Sequence, residues 1–396
     1  MTGSSSHPLN QAEITLSHIA FLNIPGHGHV NPTLPVVTEL VERGHRVTYA
    51  VDPGFADVVE RVGATAVAYP TTLPTDDREW PTGMAAAMRL FLAEAKSVLP
   101  VLEAAYADDR PDVVVYDIGA WTARLLAGRW GVPAIQFSPT FVAYEGWEED
   151  MGDLIDDEVR AFYAELDEWL AAEGVTIPAR TYVGHPDRAV VSIARAFQPH
   201  AESVHPKYTF VGPCLGDRSF QGSWEPVDDR PVLLISFGSA YTNEPGIYRA
   251  CFEAFGDLDW HVVMNIGKVV DPAELGEPPA NTELHRWLPQ LEILSHAKAF
   301  ITHCGMGGTM EGLYHGVPMI GLPVIGEQVM NALRLVELGV GRHVPRDEVT
   351  AEGLRAAVLE LADDPDVAER LAAIKAEIRA AGGTPAAADV IESMLA

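Results

Sequence analysis

The stretch GHGHVNP, residues 26–32, sets His27 and His29 one residue apart, directly after an apolar run and before an Asn-Pro step. Histidine titrates near neutrality and is a ready general base. An isolated loop histidine is more often structural, so the pair alone leaves open whether either residue does chemistry. A second constellation lies further on: WLPQ (287–290), HCGMGGTME (303–311) and EQVMN (327–331). AFITHCG (299–305) reads as a strand, GMGGT as a glycine turn and TMEGLYHG as a helix. Strand, glycine turn and helix form a phosphate cradle, because glycines let the backbone approach and first-turn amides face the anion. His303 could add a donor there. Glu311, expected in the first turn of the helix, could accept two hydroxyl hydrogen bonds. Trp287, expected to end the preceding strand, offers a flat face for a base. A glycine turn alone is weak evidence.

The elements that must position these residues alternate along the chain. Apolar runs at 18–24, 46–51, 66–70, 113–117, 134–138, 189–194 and 208–212 are continuous, as in strands buried on both faces of a parallel sheet. Helical patterns separate them. Asn31 fits an N-cap with Pro32 at the first helical position, and Gly44 fits the stop. The turn-rich stretch 216–231 breaks the series. It restarts with runs at 232–238, 261–267, 282–288, 299–305 and 319–324. Two β-α-β series predict two doubly wound α/β domains facing a cleft, with ligands beyond the carboxyl ends of the strands. The expected division is a disordered lead-in over 1–16, a first domain over 17–213, a linker over 214–231, a second domain over 232–377 and a C-terminal helix over 378–396.

A chain of 396 residues is long for a single core. Its net charge of −29 argues against nucleic acid and anionic membranes as partners. Three scattered cysteines form no disulfide framework and suggest a reducing cytoplasm. The first residues lack a signal-peptide pattern, and no apolar run reaches the length of a membrane span.

Taken together, the motifs resemble the donor-binding signature of family 1 glycosyltransferases, UDP-sugar-dependent enzymes of the GT-B fold. The likeness runs over nearly the whole chain and is strongest to the bacterial macrolide-modifying branch, through NIPGHGHVNP (23–32), QFSPTFVAYEG (136–146), FVGPCLGDRS (210–219) and WLPQLEIL (287–294). The resemblance implies two Rossmann-like domains closed by a C-terminal helix that crosses back to the first. Trp287 would stack on uracil, with Leu288 beside it and Gln290 on the nucleoside. His303 and the backbone around Gly305, Gly308 and Thr309 would hold the diphosphate, with Ser239 as a further phosphate contact. Glu311 would bind the ribose hydroxyls, and Glu327 and Gln328 the donor sugar. Two departures stand out: Met306-Gly307-Gly308 replaces the Trp-Asn-Ser of plant members, and Glu327 replaces the usual Asp.

In the same family the histidine of GHxNP aligns with His29, and its carboxylate partner with Asp117 at the end of VVVYD. An acceptor hydroxyl needs a base at the forming bond, and an imidazole base needs a carboxylate to fix its tautomer. His27 is then a loop or rim residue. The implied reaction is an inverting transfer of glucose from UDP-glucose to a hydrophobic acceptor, expected to be a macrolide. UDP-glucose is a co-substrate, and no permanent cofactor or metal is expected. The DxD pairs Asp257/Asp259 and Asp364/Asp366 read as solvated acids. Among the aromatic and methionine residues of 76–98 and 140–180, Met84, Ser138, Phe141 and Trp147 are acceptor-wall candidates, although core packing is the blander role for such residues. A monomer or weak homodimer is expected. Alternatives are transfer to polyphenols, a sugar-nucleotide epimerase or phosphorylase of similar fold, and a non-catalytic binder.

Overall fold

The computed structural model describes residues 16–395 apart from 75–79, 82, 151, 153, 154, 217, 219, 220, 239–241 and 325. Its strands are β1 (His18–Leu22), β2 (Arg46–Val51), β3 (Thr65–Ala68), β4 (Val113–Asp117), β5 (Ala134–Ser138), β6 (Ala189–Val191) and β7 (Tyr208–Phe210), then β8 (Val232–Ser236), β9 (His261–Asn265), β10 (Thr282–His285), β11 (Ala297–Thr302), β12 (Met319–Gly321) and β13 (Gly341–His343). The first seven form one sheet in the order 3-2-1-4-5-6-7, and the rest a second in the order 10-9-8-11-12-13. Every pairing is parallel. Helices cover both faces, so valine-rich runs such as β4 are buried throughout. Each sheet reverses its winding beside its first strand, between β1 and β4 and between β8 and β11. A crevice opens at such a switch point, and ligands bind there.

Two local expectations change. Asn31 does not cap the first long helix. Gly26, extended at φ −119°, opens a single turn over His27–Val30, its carbonyl accepting from the amides of His29 and Val30. The long helix then runs Leu34–Glu42 from Thr33, with a proline in its first turn. Gly44 does end it, at φ 97°. The strand β13 had no sequence signal, because Gly-Arg-His is too short and too polar to form an apolar run.

The chain closes on itself. Helix Pro365–Ala380 ends before Gly382, at φ 91°, and helix Gly383–Glu392 turns back to the first sheet. The break therefore falls at 381–382, a few residues later than the expected 378. Ala387, Ala388 and Ile391 are buried in the same apolar cluster as Val36, Val37 and Leu40. Arg43 clamps the returning helix through Asp389 at 2.6 Å and Glu392 at 2.7 Å, and His45 adds a contact to Glu392 at 2.9 Å.

Candidate active site

The sequence places both constellations at the two switch points, and the fold brings them face to face. His29 sits on the one-turn helix after β1, and Asp117 is the last residue of the neighbouring β4. His29 Nδ1 lies 2.7 Å from Asp117 Oδ2. Asp117 is 1% exposed, and its Oδ1 accepts the Gly119 amide at 2.8 Å. With Nδ1–H donating to this fixed carboxylate, Nε2 carries the lone pair, which is the tautomer a base requires. Burial opposes the imidazolium, but the Asp117 charge and hydrogen bond, with Glu327 beyond, outweigh it and raise the His29 pKa above its ordinary value. His27 turns elsewhere, edge-on to Phe55 at 5.1 Å, and desolvation with the Lys268 charge lowers its pKa.

Across the cleft, β11 gives way to His303-Cys304-Gly305, and helix Met306–His315 starts from Gly305. The His303 ring fills the turn closely. A Cβ on Gly305 would come 2.5 Å from its Nε2, and one on Gly238 2.7 Å from its Cε1, so both positions demand glycine. Burial, helped by the Arg346 charge, drops the His303 pKa to about 4. The ring is therefore neutral at physiological pH and offers an N–H dipole rather than a positive charge. Cys304 adopts φ 61°, unusual outside glycine, and its carbonyl is held by Asn331 Nδ2 at 2.9 Å. Helix geometry leaves the amides of residues 305–308 without intrahelical partners. The Thr309 amide is not among them: it bonds to the Gly305 carbonyl at 3.0 Å, and its side chain is fully buried. Its Oγ1 is buried with no hydrogen-bond partner, so any Thr309 contact to an anion would come from the hydroxyl and not from the amide.

Glu311 stands in the second turn, not the first, and is 4% exposed. Gln290 Nε2 donates to its Oε2 at 2.6 Å, and Arg218 Nη1 to its Oε1 at 2.6 Å. Trp287 lies beyond the end of β10 rather than in it, and is 48% exposed. Leu288 is buried in the core, so its side chain does not face a ligand. Glu327 and Gln328 open helix Gly326–Glu337. Glu327 reaches over the cleft to accept from Thr140 Oγ1 at 3.2 Å, while buried Gln328 accepts the Val324 amide at 2.8 Å and closes the turn before it. Ser239 lies outside the described residues.

The acceptor candidates scatter. Ser138 is fully buried with its hydroxyl on the Thr140 carbonyl, because β5 carries it into the sheet. Phe141 stacks on Phe197 against the core at the domain junction. Trp147 packs edge-on to Tyr144, and Met84 is exposed at the start of the long helix Met84–Ala105. A different aromatic run lies nearer the His29–Asp117 pair, and most of it is core, with Trp121 8% exposed and Phe162 fully buried. Trp80, Phe91, Trp121 and Phe162 follow one another at 5.7, 5.9 and 6.0 Å, and Phe91 touches the space above Gly119. A cavity of about 560 Å³ lies instead behind helix Leu34–Glu42, against Val58, Arg61, Leu215, Gly216, Arg218 and Thr384. Sequence reasoning missed Thr140, Arg218 and Asn331. Thr140 sits within the quoted QFSPTF run, but Arg218 read only as part of a turn-rich linker. Of the DxD residues, Asp257 pairs with Arg355 and Asp364 caps helix Pro365–Ala380. No group of three or more metal-ligating side chains occurs among the described residues.

The family model described as UDP-glucoronosyl and UDP-glucosyl transferase matches residues 217–377, the half that carries the glycine turn. The oleandomycin glycosyltransferase of Streptomyces antibioticus is 48% identical over 97% of this chain and 92% of its own length. The chain belongs to the family 1 glycosyltransferases of GT-B fold. This glycosyltransferase is also 36% identical to the demethyllactenocin mycarosyltransferase of Streptomyces fradiae, over 98% of the chain and 88% of that protein. Among solved structures, the kitacinnamycin glycosyltransferase superposes with a TM-score of 0.89 at 46% identity, covering 96% of this chain and all of that one. The calicheamicin glycosyltransferase CalG4 gives 0.87 at 37%, covering 96% and 99%. A glycosyltransferase of this family moves a sugar from a nucleotide donor to a small acceptor. No helix among the described residues is long and apolar enough to cross a membrane.

Proposed function

We propose that the chain transfers glucose from UDP-glucose to a hydroxyl of a hydrophobic, macrolide-type acceptor, with inversion at the anomeric carbon. The observation that carries this reading is the 2.7 Å contact between His29 Nδ1 and buried Asp117, within the field of Glu327 from the other domain. In the proposed step His29 Nε2 takes the acceptor proton as the hydroxyl oxygen bonds to the anomeric carbon. The bond from that carbon to the β-phosphate oxygen breaks, and UDP leaves with the electron pair. Asp117 supports the imidazolium that forms. The amides of residues 305–308 and the neutral His303 ring stabilise the departing diphosphate. Trp287 and Gln290 take the base and Glu311 the ribose, while Glu327 and Gln328 orient the sugar.

Residues 17–213 are then the acceptor half and 232–377 the donor half. The macrolide acceptor follows the names of the relatives, oleandomycin and demethyllactenocin. A cytoplasmic setting accords with Cys214, Cys251 and Cys304, all free and buried. The test is UDP release from UDP-glucose with and without a panel of macrolides and phenols. Acceptor-dependent release supports transfer. Acceptor-free conversion of the donor indicates epimerisation, and tight UDP binding without turnover indicates a binder.

A further inference from the structure

Glu311 has a partner outside the donor motif. Arg218, in the connection between the two sheets, sets Nη1 2.6 Å from Glu311 Oε1, with the two side chains 16% and 6% exposed. Gln290 takes the other oxygen. A carboxylate offers about four lone-pair sites, so these two bonds leave roughly two for a ligand. The backbone leading to Arg218 is seated closely: a Cβ on Gly216 would come 2.8 Å from Pro35 Cγ. Arg218 also lines the cavity behind helix Leu34–Glu42 together with Asn31 and Pro35. Arg218 thus reaches Glu311 from a stretch of chain packed against Pro35 of the first domain.

We propose that Arg218 is a positioning residue for the nucleotide, holding Glu311 turned so that its remaining lone pairs accept the 2′- and 3′-hydroxyls, and so setting a preference for ribo- over deoxyribonucleotides. This rests on the donor reading above. Without the guanidinium one oxygen of the Glu311 carboxylate loses its fixed partner, and the side chain is free to swing off the hydroxyls. The planar guanidinium fork fixes orientation as well as charge, which a lysine does not.

The experiment is calorimetric binding of UDP, 2′-deoxy-UDP and 2′,3′-dideoxy-UDP to the full chain and its variants. Wild type binds UDP more tightly than the dideoxy nucleotide. Arg218→Ala weakens UDP binding by roughly 10- to 100-fold, the scale of hydrogen bonds to a charged group, and dideoxy-UDP by less than about threefold. Arg218→Lys recovers part of the loss, and carries the same comparison if Arg218→Ala does not fold. In a Glu311→Gln background, Arg218→Ala changes UDP binding by less than about threefold. Equal losses for UDP and dideoxy-UDP, or an undiminished loss in the Glu311→Gln background, would overturn the inference and assign Arg218 to the phosphates or the fold. A wild type that binds none of the three nucleotides would instead sink the donor reading.

Discussion

Replacing Asp117 separates two things that it does for His29. Its Oδ2 accepts the hydrogen bond from Nδ1–H at 2.7 Å, and its charge supports the imidazolium. Asp117→Ala removes a hydrogen bond to a charged acceptor, worth about 1.5–3 kcal/mol, or roughly 10- to 100-fold in rate if it is felt fully in the transition state. Asp117→Asn keeps the shape, and its amide oxygen can still accept from Gly119. Its NH2 group then faces Nδ1, which must give up its proton. Nε2 becomes the protonated nitrogen and cannot act as a base. The isosteric change is therefore the more damaging one, by up to about 10⁴-fold, as expected of a misplaced tautomer. The pH profile adds a second readout. Asp117 raises the His29 pKa, so turnover in wild type is lost as pH falls through that raised value. Removing the carboxylate moves the acid limb to lower pH even as the rate drops. The assay is UDP release at subsaturating acceptor across pH 5–9. An Asn variant more active than the Ala variant, with an acid limb that does not move, would refute the tautomer argument.

Three further outcomes follow from the site. Glu327→Ala should weaken use of UDP-glucose by roughly 1.5–3 kcal/mol in kcat/KM, because the sugar hydroxyls lose a charged acceptor, while UDP affinity is kept; unchanged turnover would remove Glu327 from sugar binding. Turnover should persist in excess EDTA, since the proposed diphosphate contacts are amides and a neutral ring; loss restored by magnesium or manganese would reveal a metal requirement. Phe91→Ala should shift preference among acceptors with UDP affinity intact, whereas Phe141→Ala, which breaks a stack at the domain junction, should lower the melting temperature with little change in preference; the reverse pattern would return the acceptor wall to Phe141.

The parts of this molecule that were legible in sequence are those dictated by periodicity and strand-end chemistry. Buried parallel strands read as unbroken apolar runs, and β2, β4 and β5 occupy the expected spans. The glycine turn was legible because close approach excludes a Cβ. What stayed hidden depends on tertiary contact. Arg218 is one charge in a polar linker until the fold sets it against Glu311, 93 positions away. Thr140 acquires a partner only when the cleft brings Glu327 to it, and Asn331 only when Cys304 adopts its left-handed turn. Aromatic residues carry no label of wall or core, so the sequence does not separate Phe91 from Phe141 and Trp147.

The central claim is that His29, and not its neighbour His27, is the base. The direct measurement is the single-turnover rate of transfer to an aliphatic alcohol acceptor by His29→Ala and His27→Ala, with UDP-glucose affinity measured alongside. The expected rate for His29→Ala is lower by roughly 10²–10⁴, the usual worth of a positioned general base. Donor binding should be near normal, because the donor contacts lie in the other domain, and the loss should be smallest for acidic phenols, which ionise without help. His27→Ala, whose ring packs on Phe55, should keep most of its activity. Near-normal turnover by His29→Ala on the alcohol, beside an inactive but folded His27→Ala, would contradict it.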